Sequence, residues 1–181
     1  MANNCAFEMK ITGKKENIEE IIRIFQQKDE FKHDGIGRIF SFYVDDMQLI
    51  DSQRNIFSVN TYGDCAWSVK SSMCHDAENS RSLKSEAERL HLVIEVFSSE
   101  TGCQFQEHYL TVFGDVIVND CVDYEEHWVA IYGGVDAYNK DFGTSFTEDM
   151  LNDNGDVCIG GFGDDYDSFE DHLHCFGGES E

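Results

Sequence analysis

Apolar and polar residues alternate from Gln104 to Phe113 and again from Val116 to Tyr124, with Gly114-Asp115 between them. A two-residue Gly-Asp connection suits the primed turns that match strand twist, so the pattern predicts a β-hairpin over 104–124. The same period of two puts Cys5, Phe7, Met9 and Ile11 on one face of a strand over 4–12, with Glu8 and Lys10 on the other. The period then changes: Ile18, Ile21, Ile22 and Phe25 recur at helical spacing through about Gln27, and Asn17 with Glu20 resembles a capping box, a start one turn earlier at Lys15 being the alternative. A polar loop over 28–37 leads to a second strand, 38–44, around Phe40, Phe42 and Val44. Residues 45–55 read as a connection fastened by Met47, Leu49 and Ile50 rather than as sheet. The third strand, 56–62, meets Gly63-Asp64 and either continues past a bulge or doubles back. Ser82 caps a short predicted helix over 83–90, and the near-continuous apolar run of residues 92–97, LVIEVF, predicts a strand buried on both faces.

The resulting order, β-α-β-β-α-β followed by a hairpin, predicts an α+β fold with a ferredoxin-like core: two helices on one face of an antiparallel sheet. Residues 1–124 form the expected domain, and 125–181 an acidic, partly ordered extension. Short helices are expected at 125–132, around Trp128 and Ile131, and at 145–151, around Phe146, Met150 and Leu151. In the glycine- and acid-rich last segment, Val157, Ile159, Phe162 and Phe169 are the residues able to dock on the main domain.

Charge sharpens that division. Residues 1–114 carry 12 Lys and Arg against 18 Asp and Glu, a net of −6, whereas 115–181 carry one Lys against 18 acids, a net of −17. With 41% apolar residues, including 14 Phe, the 181-residue chain has the material for a core. It has no run of about 18 apolar residues, and its start has no basic region followed by an apolar block, so no membrane role and a cytoplasmic location are expected. Seven cysteines without CxxC spacing point to free, partly buried thiols in a reducing compartment.

Four chemistries compete for this sequence. His172, His174 and Cys175 offer metal ligands in a short span with Cys158 nearby, but a structural zinc site has a second ligand pair, so no metal and no cofactor are expected. Aligning Gly155 of the run 152–156 with the glycine of a calcium loop puts Met150 and Gly161 where carboxylates belong, which excludes that loop. Cys65, Cys103 or Cys121 with His108, and Glu107 or Asp123 as orienting acid, have the residue types of a Cys-His enzyme, with no catalytic motif beside them. The fourth chemistry is the charge itself. Asp120, Asp123, Glu125 and Glu126, then Asp164, Asp165, Asp167, Glu170 and Asp171, lie within aromatic-containing sequence. Carboxylates along a folded surface imitate phosphates and are drawn to the Lys and Arg of a nucleic-acid-binding protein. The same charge repels nucleic acid itself, so a non-catalytic binding role with a protein partner is the expectation.

Met1-Ala2-Asn3-Asn4-Cys5 with Met9-Lys10-Ile11-Thr12-Gly13, the stretch Gly63-Asp64-Cys65-Ala66-Trp67-Ser68-Val69, and Gly102-Cys103-Gln104-Phe105-Gln106-Glu107-His108-Tyr109 resemble a group of small proteins from phages and mobile elements of Gram-positive bacteria. Some of that group resemble the anti-CRISPR inhibitors of the type II RNA-guided DNA nuclease, and this chain is similar to one of those over roughly residues 1–130. The resemblance implies evasion of host defence: binding a type II CRISPR nuclease loaded with guide RNA and preventing target DNA from being bound or cut. It carries over no catalytic residues. A DNA-mimic surface formed by the nine carboxylates fits such a partner, whose heteroduplex channel is positively charged. A Cys-His enzyme or a small metal- or ligand-binding module is the alternative, and exposed strand edges in the hairpin leave a homodimer possible.

Overall fold

The computed structural model describes residues 4–26, 36, 39–74, 81–162 and 172–177. Eight strands form one open antiparallel sheet: β1 (Asn4–Lys14), β2 (Ile39–Val44), β3 (Gln48–Asp51), β4 (Ile56–Ala66), β5 (Val93–Glu100), β6 (Phe105–Val112), β7 (Asp115–His127) and β8 (Val157–Gly160). Their order is β2-β4-β1-β5-β6-β7-β8, with β3 beside β2 on the same edge of β4. The fold is mixed α/β with few helices. Two of them, α1 (Lys15–Gln26) and α2 (Leu83–Leu90), cover one face of the sheet. Cys5, Phe7, Met9 and Ile11 of β1 pack there against Ile18, Ile21 and Phe25 of α1 and Leu83, Ala87 and Leu90 of α2.

Local sequence explains most of these elements. α2 starts with a reciprocal cap: Ser82 Oγ accepts from the Ser85 N–H at 3.1 Å while Ser85 Oγ accepts from the Ser82 N–H at 3.0 Å. It ends at His91 in the left-handed conformation. The other cap moves. α1 begins at Lys15, and Asn17, instead of capping its own helix, donates its Nδ2–H to the Leu90 carbonyl at 2.7 Å, closing an orphan acceptor at the end of α2. β4 continues through Gly63 to Ala66, because a Cβ at 63 would overlap the Ser41 carbonyl of the paired strand β2. β5 is buried along nearly its whole length between β1 and β6, as its apolar run predicts.

Three expectations need correction. Residues 45–55 are not only a connection, since Gln48–Asp51 pairs with β4 through a bulge between Leu49 and Asp51. The hairpin turn lies one residue earlier than Gly114-Asp115: Phe113 (φ 52°) and Gly114 (φ 96°) occupy its centre and Asp115 already pairs with Val112. Positive φ at both central residues is the primed geometry. Phe113 sits there because its ring stacks on His91 at 3.7 Å and meets Phe176 edge-on at 5.2 Å, contacts that offset the strain of a bulky residue with positive φ.

The third correction concerns the extension. β7 runs unbroken across position 124 to His127, where β8 pairs with it. Between them the predicted helix at 125–132 shrinks to one 3₁₀ turn, Ala130–Tyr132, ended by Gly133 and Gly134 at positive φ. A helix unforeseen in the sequence, α3 (Val135–Phe142), follows, and the predicted 145–151 helix is a single 3₁₀ turn, Glu148–Met150. Val129, Val135, Tyr138, Phe146 and Val157 gather from α3, β8 and the loops beside them into a second small core. None of these segments shows a long apolar period, so their order arises from contacts between them.

Candidate functional site

The face of the sheet opposite α1 and α2 carries the most unusual chemistry. Alternation along β5 turns Ile94 and Val96 toward the helices and Glu95 and Phe97 away from them. Glu95 is nevertheless only 4% exposed, because residues 161–162 and 172–177 cross that face and cover it. Two imidazoles satisfy the buried carboxylate. His108 of β6 donates from Nε2 to Oε1 and His172 donates from Nε2 to Oε2, each at 2.7 Å. His172 is itself 3% exposed. His108 stacks on Phe97 at 4.1 Å, and Phe162 stands edge-on to both rings. The Gln106 side chain accepts the Phe162 N–H at 2.8 Å, fixing the covering segment at that end. These residues line a cavity of about 750 Å³ whose walls include Leu110, Val118 and Asp120, within the size range of small-ligand sites.

Burial alone would raise the Glu95 carboxyl; hydrogen bonds from His108 and His172, together with their charge, reverse that and hold it at about 2, well below the ordinary 4.5. A carboxyl lowered in the folded state contributes stability that is complete above the unfolded value and is lost as pH falls from about 4.5 toward 2. Glu95→Gln is expected to remove this part of the acid limb, about 3 kcal/mol, so that wild type and variant converge in urea midpoint between pH 4.5 and pH 2. Parallel curves across that range would contradict the assignment.

The helix-covered face holds a different buried acid. Glu107, 2% exposed, accepts the Val69 N–H at 2.7 Å and the Ser98 hydroxyl at 2.9 Å. Cys121 is its cross-strand partner, and with Trp67, Cys103 and Phe105 they surround a shallow hollow. His108 points to the other face of β6, so the structure separates it from Cys65, Cys103 and Cys121 by the thickness of the sheet. The Cys65 thiol is held up by its hydrogen bond with Cys5 and by burial, and the Cys74 and Cys121 thiols are pushed up by burial and then by the Glu107 charge.

The sequence-predicted carboxylates divide. Asp120 and Glu126 alternate to the helix-free face, Asp123 and Glu125 to the other. Asp120, Asp123 and Glu125 are exposed, and Glu125 lies 3.5 Å from His127. Asp164, Asp165, Asp167, Glu170 and Asp171 lie outside the described residues. Of the metal candidates, His172 serves Glu95, while His174 Nε2 and Cys175 Sγ are 3.4 Å apart. Among the described residues no group of three or more His, Cys, Asp or Glu is placed to hold a metal ion. The 152–156 run is a turn in which Asn152 accepts two backbone N–H groups and Asp156 accepts that of Ala130.

What sequence reasoning missed is an apolar knob on the second core. Ile131 is 75% exposed and Trp128 56%, with Tyr132, Phe142 and Met150 also exposed. Tyr132 and Phe142 meet edge-on at 4.9 Å, and both pack on Tyr138. Over 125–162 there are eight carboxylates and one lysine, a net of −7. The spacing of Trp128 and Ile131 predicts a helix around them, and that spacing is the same whether their side is covered or bare. Among the described residues no helix is long and apolar enough to cross a membrane. No protein-family model, curated protein or solved structure matches this chain.

Proposed function

We propose that this protein is a non-catalytic inhibitor that seats itself on a basic nucleic-acid-binding surface of another protein, in the manner of an anti-CRISPR protein acting on a type II RNA-guided DNA nuclease with its guide RNA. The observation that carries the reading is the knob of the second core: exposed Trp128, Ile131 and Tyr132 within a segment of net charge −7. Exposed aromatic and aliphatic anchors mark protein interfaces, and the surrounding carboxylates select a basic partner and repel nucleic acid. The nuclease as partner comes from the sequence resemblance of residues 1–130. A ferredoxin-like core is part of the same proposal, supported by the order β2-β4-β1-β5 with α1 and α2 on one face. That core serves as a rigid frame, and the knob and acids as its contact surface. His108 lies on the face opposite Cys65, Cys103 and Cys121, which weighs against a Cys-His pair drawn from those residues.

The test is a plasmid-cleavage assay with nuclease and guide RNA, adding the protein before or after target DNA. Near-stoichiometric loss of cleavage is expected when the protein is added first, weakening as salt rises from 0.1 to 0.5 M because the Debye length shortens from about 10 Å to roughly 4 Å. Full cleavage at a tenfold excess of protein in low salt would overturn the proposal.

A further inference from the structure

Two buried thiols oppose each other at one end of the sheet, away from both the knob and the Glu95 cavity. Cys5 of β1 and Cys65 of β4 are cross-strand partners on the helix-covered face, and both are fully buried. Directly opposed residues of an antiparallel pair have Cα atoms about 4.5 or 5.5 Å apart, and a disulfide spans Cα separations of about 4.4–6.8 Å, so either kind of pair meets the requirement. The side chains already touch. The Cys65 S–H donates to the Cys5 sulfur, a bond that lowers the Cys5 thiol and raises that of Cys65. Among the described strands no second pair of cysteines is opposed in this way, since Cys121 faces Glu107 and Cys158 faces Glu126.

Burial means that an oxidant reaches these sulfurs only when the strand end opens, and that end is lightly held. Among the described residues Asn4 with Ala66 is the one pair beyond Cys5 and Cys65 in the β1–β4 ladder. The β1–β5 ladder starts at Ala6, so Cys5 has a strand partner on one side only. Such ends open locally at much less than the free energy of global unfolding. We infer that Cys5 and Cys65 are a redox-responsive latch, in which a peroxide converts the pair to a disulfide that fastens the end of β1 to β4. The Cys5 thiolate attacks one oxygen of hydrogen peroxide, the O–O bond breaks, and the departing hydroxide takes up the Cys5 proton as water, leaving a sulfenic acid. The Cys65 sulfur then attacks the Cys5 sulfur; the S–O bond breaks and the hydroxyl leaves with the Cys65 proton as a second water. The two thiols lose two electrons and the peroxide gains them. A dithiol reductant reverses the step by exchange.

The experiment treats the native full-length protein, at low concentration, with hydrogen peroxide, caps remaining thiols with iodoacetamide and digests with trypsin without reduction. Residues 1–10 and 55–70, each with a single cysteine, are expected as one disulfide-linked species. The latch closes a loop of 60 residues, 65 minus 5. Oxidation is therefore expected to raise the urea midpoint by about 1–2 M, and dithiothreitol to return it. Cys5→Ala and, as a second variant, Cys65→Ala, each compared oxidised against reduced, are expected to form no such species and to show no gain. Linkage of Cys65 to Cys74, oxidation confined to Cys103, Cys121 and Cys158, or linkage of Cys5 to Cys65 without a gain in midpoint would overturn the latch.

Discussion

Trp128→Ala combined with Ile131→Glu should weaken binding to the basic partner by about 100-fold or more while leaving the fold in place. The two side chains are 56% and 75% exposed and contribute little to either core. Surface substitutions of this kind typically change stability by about 0.5 kcal/mol or less. At an interface the same residues become anchors, and truncating a well-buried Trp costs about 2–4 kcal/mol. Each 1.4 kcal/mol is about a factor of ten in affinity, so Trp128 alone supplies about 30-fold or more, and a glutamate at 131 adds the desolvation of an unpaired charge. The measurement is a titration of partner against wild type and double variant in low salt, with a urea curve on each. Unchanged affinity would remove the knob from the interface. Lost affinity with a shifted urea midpoint would place Trp128 and Ile131 in the fold instead. Charge reversal at Asp123 and Glu125 acts on the other half of the surface, and its effect is expected to shrink as salt rises, which that of Trp128→Ala is not.

How much of this molecule is legible in the sequence depends on whether the determining contact is local. The β1 alternation, the Ser82 cap and the buried run of β5 are written in neighbouring residues, and the structure keeps all three. The turn of the hairpin is not. Gly114 advertises a turn, but whether it fills the first or second central position is decided by Phe113 stacking on His91 and Phe176, far from it in the chain. α3 has only Val135 and Tyr138 as buried residues, too few for a helical period, and it is held by Phe146 and Val157, which come later. The cavity is a mixed case. A lone glutamate inside LVIEVF, a run predicted to be buried on both faces, announces that something must satisfy it, and His108 on the next strand is a local choice. His172, 77 residues away, carries no sequence signal of that role. Its adjacency to His174 and Cys175 points instead to metal chemistry, a pattern the structure resolves into a carboxylate partner. The knob was visible as residues and invisible as a surface, because spacing does not say which side is covered.

Glu107→Leu should be the most destabilising single change on the helix-covered face, lowering stability by about 3–5 kcal/mol. The carboxylate is 2% exposed and one oxygen takes both the Val69 N–H and the Ser98 hydroxyl. Leucine fills much of the same volume, so the loss is not chiefly a cavity. It leaves two buried donors without an acceptor, each costing about 1–3 kcal/mol, and one of them is backbone that cannot turn away. Val69 follows Trp67, whose φ of 67° marks a strained reversal after β4; the Glu107 bond is what holds that reversal against β5 and β6. Releasing it also loosens Met73 and Cys74, which pack on the same core. Glu107→Gln keeps an acceptor for Val69 while adding an amide that must find its own partner, and is expected to cost roughly half as much. With a urea slope of about 2 kcal/mol per molar, the leucine variant should shift the midpoint down by about 1.5–2.5 M and the glutamine variant by about 1 M. Small and equal shifts for the two would mean that the volume of the side chain, and not its acceptor, is what the site requires. In that case the Trp67–Val69 reversal would be held by packing against Phe105 and Cys121 instead.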